Sequence, residues 1–475
     1  MSDLEKPRAS EEEVNVAHEQ HSPERRALEK KLVRKIDMRM SILIVIYILN
    51  YDSRGIFHSF SARAARKRGL ERDLHLTGEQ FPTLLSVIGY IIMQIPSNMF
   101  LNTIGRPSIY LPGCMIIWGT ISCLTGVTKN FVGALLTRFF LGFVEAAFFP
   151  CSTLLQWYKR DEIGLRTAIL YCGNIISNAF GSLMASGILA NMDGKLGHAA
   201  WRWLFYIGSF DNFHRNRCHF CPARLPHHVQ MVVTRERELA LLRMEEDAGV
   251  GDQDETEQGG PLHGLYLAVT DWRVWWLAFA LTSQVVALSF NAFFPTLTAT
   301  LGFSPTVTLL LCAPPFAVSA AAAFLLARYS SQVGERCFHM NLSFGLGIVG
   351  FIISISTMNT AARYVSFFLQ AQQYAGFVVL YAWMSNTFAR PPSKRAVALA
   401  LINAWSQLGN VAGEYVWPSN WGPTYHNSYA ICIACSGTTM VMCFIFRLVL
   451  VSENKRLDKE EEEQGVKTKG FRYIL

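Results

Sequence analysis

Residues 138–150 read RFFLGFVEAAFFP, an apolar run interrupted by one arginine and one glutamate, Arg138 and Glu145. A separation of seven residues is two helical turns, so both side chains share one face, ~10.5 Å apart along the axis. A planar guanidinium can hold a carboxylate bidentately, and a glutamate in a dehydrated cavity can take up and return a proton. The pair reads either as an anion anchor with a proton carrier or as partners in a helix-packing ion pair. A second pair, Asp52 and Arg54, closes the first apolar run after Asn50-Tyr51. Facing the same cavity, it would duplicate the first; beyond the bilayer, it is surface charge.

Uncharged polar groups recur at helical spacing. Asn403, Gln407, Asn410 and Glu414 fall at offsets of 0, 4, 7 and 11, one continuous stripe. It suits the wall of a solvated pathway or, equally, hydrogen-bonded helix packing. Glu414 adds a third candidate proton carrier. Asn174, Asn178 and Ser182 repeat the device in an earlier run, and Gln370, Gln373, Tyr374 and Tyr381 could flank a flat ligand or simply line core. Signatures of soluble catalysis, the phosphate-binding G-x-x-x-x-G-K-[ST], H-E-x-x-H and G-x-S-x-G among them, are missing. No enzyme activity and no cofactor are expected, so a proton gradient is left as driving force. Cys218-His219-Phe220-Cys221 has zinc-like spacing, but its segment is anomalous and no metal is expected.

The elements that must position these groups are long apolar helices. Of 475 residues, 51% are hydrophobic and 17% charged, against the ~25% charged of an ordinary soluble domain. Windows long enough to cross a bilayer lie near 38–57, 80–104, 108–127, 131–153, 166–190, 272–297, 305–328, 338–358, 362–388, 395–416 and 428–451. Basic residues cluster between them, at Arg25 to Lys35, Lys159-Arg160, Arg336, Arg390 to Arg395 and Lys455-Arg456. Placing all of these inside requires an even number of crossings before 272, hence a sixth span between 191 and 271. It can begin only at Trp201-Arg202-Trp203-Leu204-Phe205, yet Asp211, Arg215, Arg217 and Arg224 follow and oppose insertion by about 12 kcal/mol. The polar stretch 206–230 is read as a frame or splice error in the encoded sequence, as a degraded gene or as a real polar insertion, and the basic one around 55–68 as a similar local error. The net charge of +7 is spread over loops, which excludes nucleic acid as a partner. Cysteines inside apolar runs imply no disulfide framework, and the acidic stretches Glu245 to Glu257 and Glu460 to Glu463 read as solvated, disordered charge runs.

The expected fold is an all-α polytopic membrane protein of two six-helix bundles. Its divisions are a cytoplasmic tail (1–37), an N-terminal bundle (38–230, its sixth helix poorly encoded), a cytoplasmic loop (231–271), a C-terminal bundle (272–451) and a cytoplasmic tail (452–475). Leu76-Thr77-Gly78-Glu79 and Leu301-Gly302-Phe303-Ser304 open corresponding runs in the two halves, as in repeat-built transporters.

Several stretches carry a family resemblance: GYIIMQIPSN (89–98), RFFLGFVEAAFFP (138–150), WRWLF (201–205), ERELALLRMEEDAG (236–249), the block 388–432 and ENKRLDKEEEE (453–463). The chain resembles fungal members of the major facilitator superfamily, in the anion:cation symporter group of allantoate and nicotinic acid permeases. That resemblance implies the major facilitator fold and proton-coupled uptake of a small organic anion, a nicotinate-like monocarboxylate, by alternating access. On its pattern Arg138 and Glu145 match positions of anion binding and proton coupling. From the residues themselves, Arg54, Asn174, Gln373, Tyr374, Asn403, Gln407 and Asn410 are further expected substrate contacts, and Asp52 and Glu414 further expected proton carriers. A monomer in the plasma membrane with both termini cytoplasmic is expected. The chain departs from the family where Ser53 separates Asp52 from Arg54, where Ser330 to Arg336 loses an Asp and an Arg, and at Glu414, which replaces a small residue. Export of a secondary metabolite, or a non-transporting sensor or defective paralogue, are the alternative functions.

Overall fold

The computed structural model describes residues 23–38, 73–74, 88–104, 107–146, 160–207, 239–240, 242–243, 261–388, 392–463 and 472–475. Among the described residues there is no strand. The helices are α1 (23–38), α2 (Ile88–Ile104), α3 (Pro107–Val127), α4 (Phe131–Glu145), α5 (Arg160–Asn191) and α6 (200–207). They continue as α7 (Pro261–Thr270), α8 (Trp272–Ala287), α9 (Phe290–Ala299), α10 (Pro305–Leu311), α11 (Ala313–Val333), α12 (Cys337–Ser356), α13 (Thr360–Ala371), α14 (Gln373–Thr387), α15 (Pro392–Tyr415) and α16 (His426–Glu463). Four described helical stretches are long and apolar enough to cross a membrane: Trp272–Ala299, Thr306–Val333, Cys337–Ser356 and His426–Glu463. Large apolar side chains such as Ile117, Phe140, Leu325, Leu342 and Phe444 stay exposed on their outer faces, as contact with lipid allows.

Local chemistry sets the helix ends. Asn130 caps α4 by accepting from the Gly133 amide at 2.9 Å, and Asn359 caps α13 by accepting from Ala361 and Ala362. Asp271 caps α8 through the Arg273 amide and also takes Lys394, at the start of α15, at 2.8 Å. Burial alone would raise the Asp271 carboxyl; the Lys394 and Arg273 hydrogen bonds outweigh it and hold the group below its ordinary value. Its contribution to stability is therefore complete at neutral pH and is lost only as pH falls through that depressed value. α11 ends at Gly334 with φ of 72°, a left-handed turn open to glycine, and Glu335 then pairs with Arg447 at 3.2 Å.

Two cores result. One gathers Trp118, Leu141, Leu189, Trp201, Leu204 and Phe205. The other fills the C-terminal half around Phe290, Phe294, Phe316, Phe351, Trp383 and Tyr429. α5 serves both, giving Ala185 and Leu189 to the first and Tyr171, Cys172 and Ile175 to the second. The halves touch along α5 against α11 and along α2 against α15, with Cys172 Sγ donating to the Ala320 carbonyl at 3.4 Å.

Three of the expected single spans are broken. The run 272–299 breaks at Leu288-Ser289, 305–333 at Cys312, and 360–387 at Gln372. Pro314 and Pro315 have no N–H to give the preceding turn, and the Tyr364 hydroxyl supplies one instead, donating to the freed Leu311 carbonyl at 3.3 Å. At Gln372 nothing in the local sequence forces a break. Serines from neighbouring helices do: Ser319 donates to the Ala371 carbonyl at 2.6 Å, while Ser343 donates to the Gln372 carbonyl and accepts from the Gly376 amide.

A short helix, α6, begins at Ala200, in the segment where the sixth span is expected to start. Trp201 is fully buried and donates from its indole to Asp73 at 2.9 Å. Arg202 and Tyr206 both donate to the Gly126 carbonyl at the end of α3, at 2.7 and 3.0 Å. Residues 208–238, with the anomalous charges and the Cys218/Cys221 motif, lie outside the described residues, as do 39–72 and Glu245 to Glu257. The acidic run 460–463 corrects an expectation: it is the helical end of α16, not a disordered segment, and Arg472 returns to pair with Glu461 and Asp458 at 2.6 and 2.7 Å. The expectation failed because its counter-charge lies beyond the run.

Ser343→Ala removes both bonds at the Gln372 break, so it is expected to cost about 1–3 kcal/mol. Thermal unfolding in detergent measures this; an unchanged midpoint would show that the break does not depend on Ser343.

Candidate functional site

The two charges on α4 are both inside the protein, Arg138 at 8% and Glu145 at 6% exposure. The Arg138 guanidinium lies over the Phe205 ring of α6, 5.5 Å from its centroid, an arrangement favoured by the ring's negative face. α4 reaches this position because its backbone runs against α2 with no intervening side chain. A Cβ on Gly89 would stand 2.2 Å from the Phe139 carbonyl oxygen, and one on Gly142 would stand 3.0 Å from the Tyr90 amide. Those two glycines set Tyr90 beside the helix that carries the charges.

Tyr90 in turn reaches the other half. Asn403 of α15 donates to the Tyr90 hydroxyl at 3.2 Å and accepts from the Tyr381 hydroxyl of α14 at 2.6 Å. Gln407 approaches the same Asn403 oxygen at 3.5 Å, and Asn410 donates to Gln407 at 2.7 Å. The stripe expected on α15 is thus a connected relay, grading from buried Asn403 to exposed Asn410. Tyr171 of α5 closes the cluster, 4.9 Å from Tyr381 and 6.2 Å from Phe377 between ring centroids. Aromatic rings and amides from both halves therefore meet at one place, α2 and α5 facing α14 and α15.

Other expected site residues go elsewhere. Gln373 accepts at one oxygen from Gln284 of α8 at 2.6 Å and from Ser436 of α16 at 2.8 Å, inside the C-terminal half. Gln370 is likewise held by Ser354 of α12. Tyr374 packs against Phe290 and Phe316. Glu414 sits half-buried in the last turn of α15. Asp52 and Arg54 lie outside the described residues, as do the side chains of Asn174, Asn178 and Ser182.

Arg363 was missed. It is 1% exposed, the one charge between 360 and 388, and intramembrane charge alone could have flagged it. It donates to Thr300 at 3.0 Å, fastening the start of α13 to the end of α9 within one half. Tyr90, Tyr171 and Gln284 were missed for another reason: each is an ordinary residue in its own run and gains meaning only from its partner on a distant helix.

Comparison with known proteins decides the family. Residues 43–210 and 236–414 match the Major Facilitator Superfamily. The chain belongs to the Major Facilitator Superfamily. Its curated relatives include the MFS-type transporter cnsO of Penicillium expansum, 28% identical over 93% of this chain and 88% of that one. They also include the Pantothenate transporter FEN2 of Saccharomyces cerevisiae, 24% identical over 92% and 88%. Among solved structures the proton:xylose symporter XylE superposes with a TM-score of 0.63 at 16% identity, covering 86% of this chain and 95% of that one. That likeness shows the fold, the two-domain helical bundle of the superfamily. The protein is a multi-pass membrane transporter whose two halves meet at the Tyr90–Asn403–Tyr381 cluster.

Asn403→Ala removes the bonds to both the Tyr381 and the Tyr90 hydroxyls and is expected to destabilise by about 1–3 kcal/mol, against about 0.5–1.5 for Tyr90→Phe, which removes one. Unfolding midpoints of the purified variants test the order; a Tyr90→Phe loss as large as the Asn403→Ala loss would contradict it.

Proposed function

We propose that this transporter takes up a small organic monocarboxylate, nicotinate-like in size and charge, together with protons. This reading places it in the anion:cation symporter group of the superfamily. The observation that carries it is the pair of opposite charges on α4, both buried and both on one face of a helix packed against α2. Enclosing a guanidinium in an apolar helix is costly unless an anion balances it. Glu145 stands two turns along the same helix, ~10.5 Å by axial rise, so the helix presents a cation and a titratable carboxyl on one face.

In this mechanism Arg138 grips the substrate carboxylate and Glu145 exchanges the coupled proton. Asn403, Gln407 and Asn410 offer amides to the substrate's polar edge, and Tyr381 with Tyr171 offers aromatic faces to a flat ring. Arg54 and Asn174 are further proposed contacts, and Asp52 and Glu414 further proposed proton carriers. Gln373 and Tyr374 support the site from behind, since their partners belong to the C-terminal core. Alternating access is the proposed cycle, the two cores moving against each other about α5, which contributes to both. A relative named as a pantothenate transporter agrees with a carboxylate cargo, pantothenate being a monocarboxylic acid.

The test is competition for uptake between nicotinate and its neutral amide. The acid is expected to compete and the amide not. Arg138→Lys keeps the charge but loses the planar fork, and should weaken the acid by about 1.5–3 kcal/mol, roughly 10- to 150-fold. Equal competition by acid and amide, or unaltered acid binding in Arg138→Lys, removes Arg138 from the substrate site. Glu145→Gln preserves size and hydrogen bonding without titration, so proton-driven accumulation should vanish while exchange of substrate persists. Accumulation by that variant in response to a proton gradient would make Glu145 structural.

A further inference from the structure

We propose that the end of the C-terminal half at which α8 begins is a peptide-docking surface, and that its occupant is residues 472–475 of this chain. Asn454, Asp458 and Glu461 recur at helical spacing along the last turns of α16, a polar face beyond the apolar part of that helix. The returning segment Arg472-Tyr473-Ile474-Leu475 uses all three. Arg472 forks onto Glu461 with two parallel bonds, Nη1 to Oε1 at 2.8 Å and Nη2 to Oε2 at 2.6 Å, and also donates to Asp458 from Nε at 2.9 Å and Nη2 at 2.7 Å. These partners hold the Arg472 guanidinium above its ordinary value. Asn454 then grips the backbone of Tyr473 in both directions, accepting from its amide at 2.8 Å and donating to its carbonyl at 2.9 Å. A side-chain amide used in this way reads backbone, so the pocket recognises an extended peptide.

The rest of the segment engages other helices. Arg273 of α8 donates to the Tyr473 hydroxyl at 3.0 Å with its guanidinium over the ring. Trp383 of α14, whose side chain has no exposed surface, donates its indole N–H to the Ile474 carbonyl at 2.8 Å. The Arg336 amide, in the turn before α12, donates to the Leu475 carbonyl. Tyr473 and Leu475 pack on the C-terminal core. Four consecutive residues thus find fixed partners on α8, α14, α16 and the α11–α12 turn. A buried indole N–H in particular needs an acceptor, and here the segment provides it. Docking ties the ends of these helices together, and Arg273 carries the tie through Asp271 to Lys394 of α15. The role is to keep this end of the half together as one body while the halves move against each other.

The experiment is thiol accessibility in the purified full-length protein. Leu475→Cys is labelled with a bulky maleimide, and the reaction of the native cysteines is subtracted using the unsubstituted chain. In the otherwise native background the added thiol is expected to react at least ~tenfold more slowly than in the Arg472→Glu background, where Asp458 and Glu461 repel the segment. Combining Arg472→Glu with Asp458→Arg and Glu461→Arg should restore slow labelling, and Tyr473→Phe should speed it several-fold. Equal rates in the native and Arg472→Glu backgrounds overturn the proposal. So does a charge-swapped protein, monodisperse on size exclusion, that stays fast, because the acidic clamp would then not be what holds the segment.

Discussion

Hydrocarbon offers no hydrogen bonds, and this constraint governs every feature described above. A backbone N–H or C=O placed in lipid must find its partner within the protein, so crossing segments are helices and any interruption needs a replacement donor. The interruptions at Cys312 and Gln372 have them. The Ala371 and Gln372 carbonyls take serine hydroxyls from α11 and α12, and Leu311, deprived by Pro315, takes the hydroxyl of Tyr364. Each replacement comes from a neighbouring helix, so breaking one helix binds it to another. The C-terminal half is consequently cross-linked by polar contacts as well as by its aromatic core.

The same constraint sorts the charges. Asp271 and Lys394 pair at helix ends, and Glu335, in the turn before α12, pairs with Arg447 of α16, while Arg363 is spent on tying α13 to α9. Arg138 and Glu145 differ in being buried side chains of α4, Glu145 at its last residue, on the helix that Gly89 and Gly142 bring against α2. Small residues, by admitting close approach, bring the charged helix to the place where Tyr90 meets Asn403. The chemistry of the site and the packing of the N-terminal half are therefore a single arrangement. An alanine at either glycine would push apart the same helices that hold the charges and the tyrosine.

Beyond the packing of α5 on α11 and of α2 on α15, the specific contacts between the halves are a cysteine-to-carbonyl bond, a tyrosine-amide relay and a tilted pair of aromatic rings. Such contacts can separate and re-form at small cost, each hydrogen bond being worth about 0.5–1.5 kcal/mol net. The interiors of the halves, by contrast, contain knots such as Gln284–Gln373–Ser436 whose disruption would strand buried amides.

The sequence alone determined the all-helical class, the positions of the apolar runs, the need for a helix starting near Trp201 and the face shared by Arg138 and Glu145. Those features follow from local periodicity, length and loop charge, which a linear chain carries in full. Asn403, Gln407 and Asn410 were legible as a stripe for the same reason. Tertiary structure decided what each stripe meets. Gln373 and Asn403 look alike in sequence, amides in apolar runs, yet one is bonded into the C-terminal core and the other reaches across to Tyr90. The break at Gln372 was invisible because the serines that stabilise it lie on other helices, and the order of 460–463 because its counter-charge, Arg472, returns from beyond the helix. Helical period fixes which side chains share a face; only the packing of one helix on another fixes what that face touches.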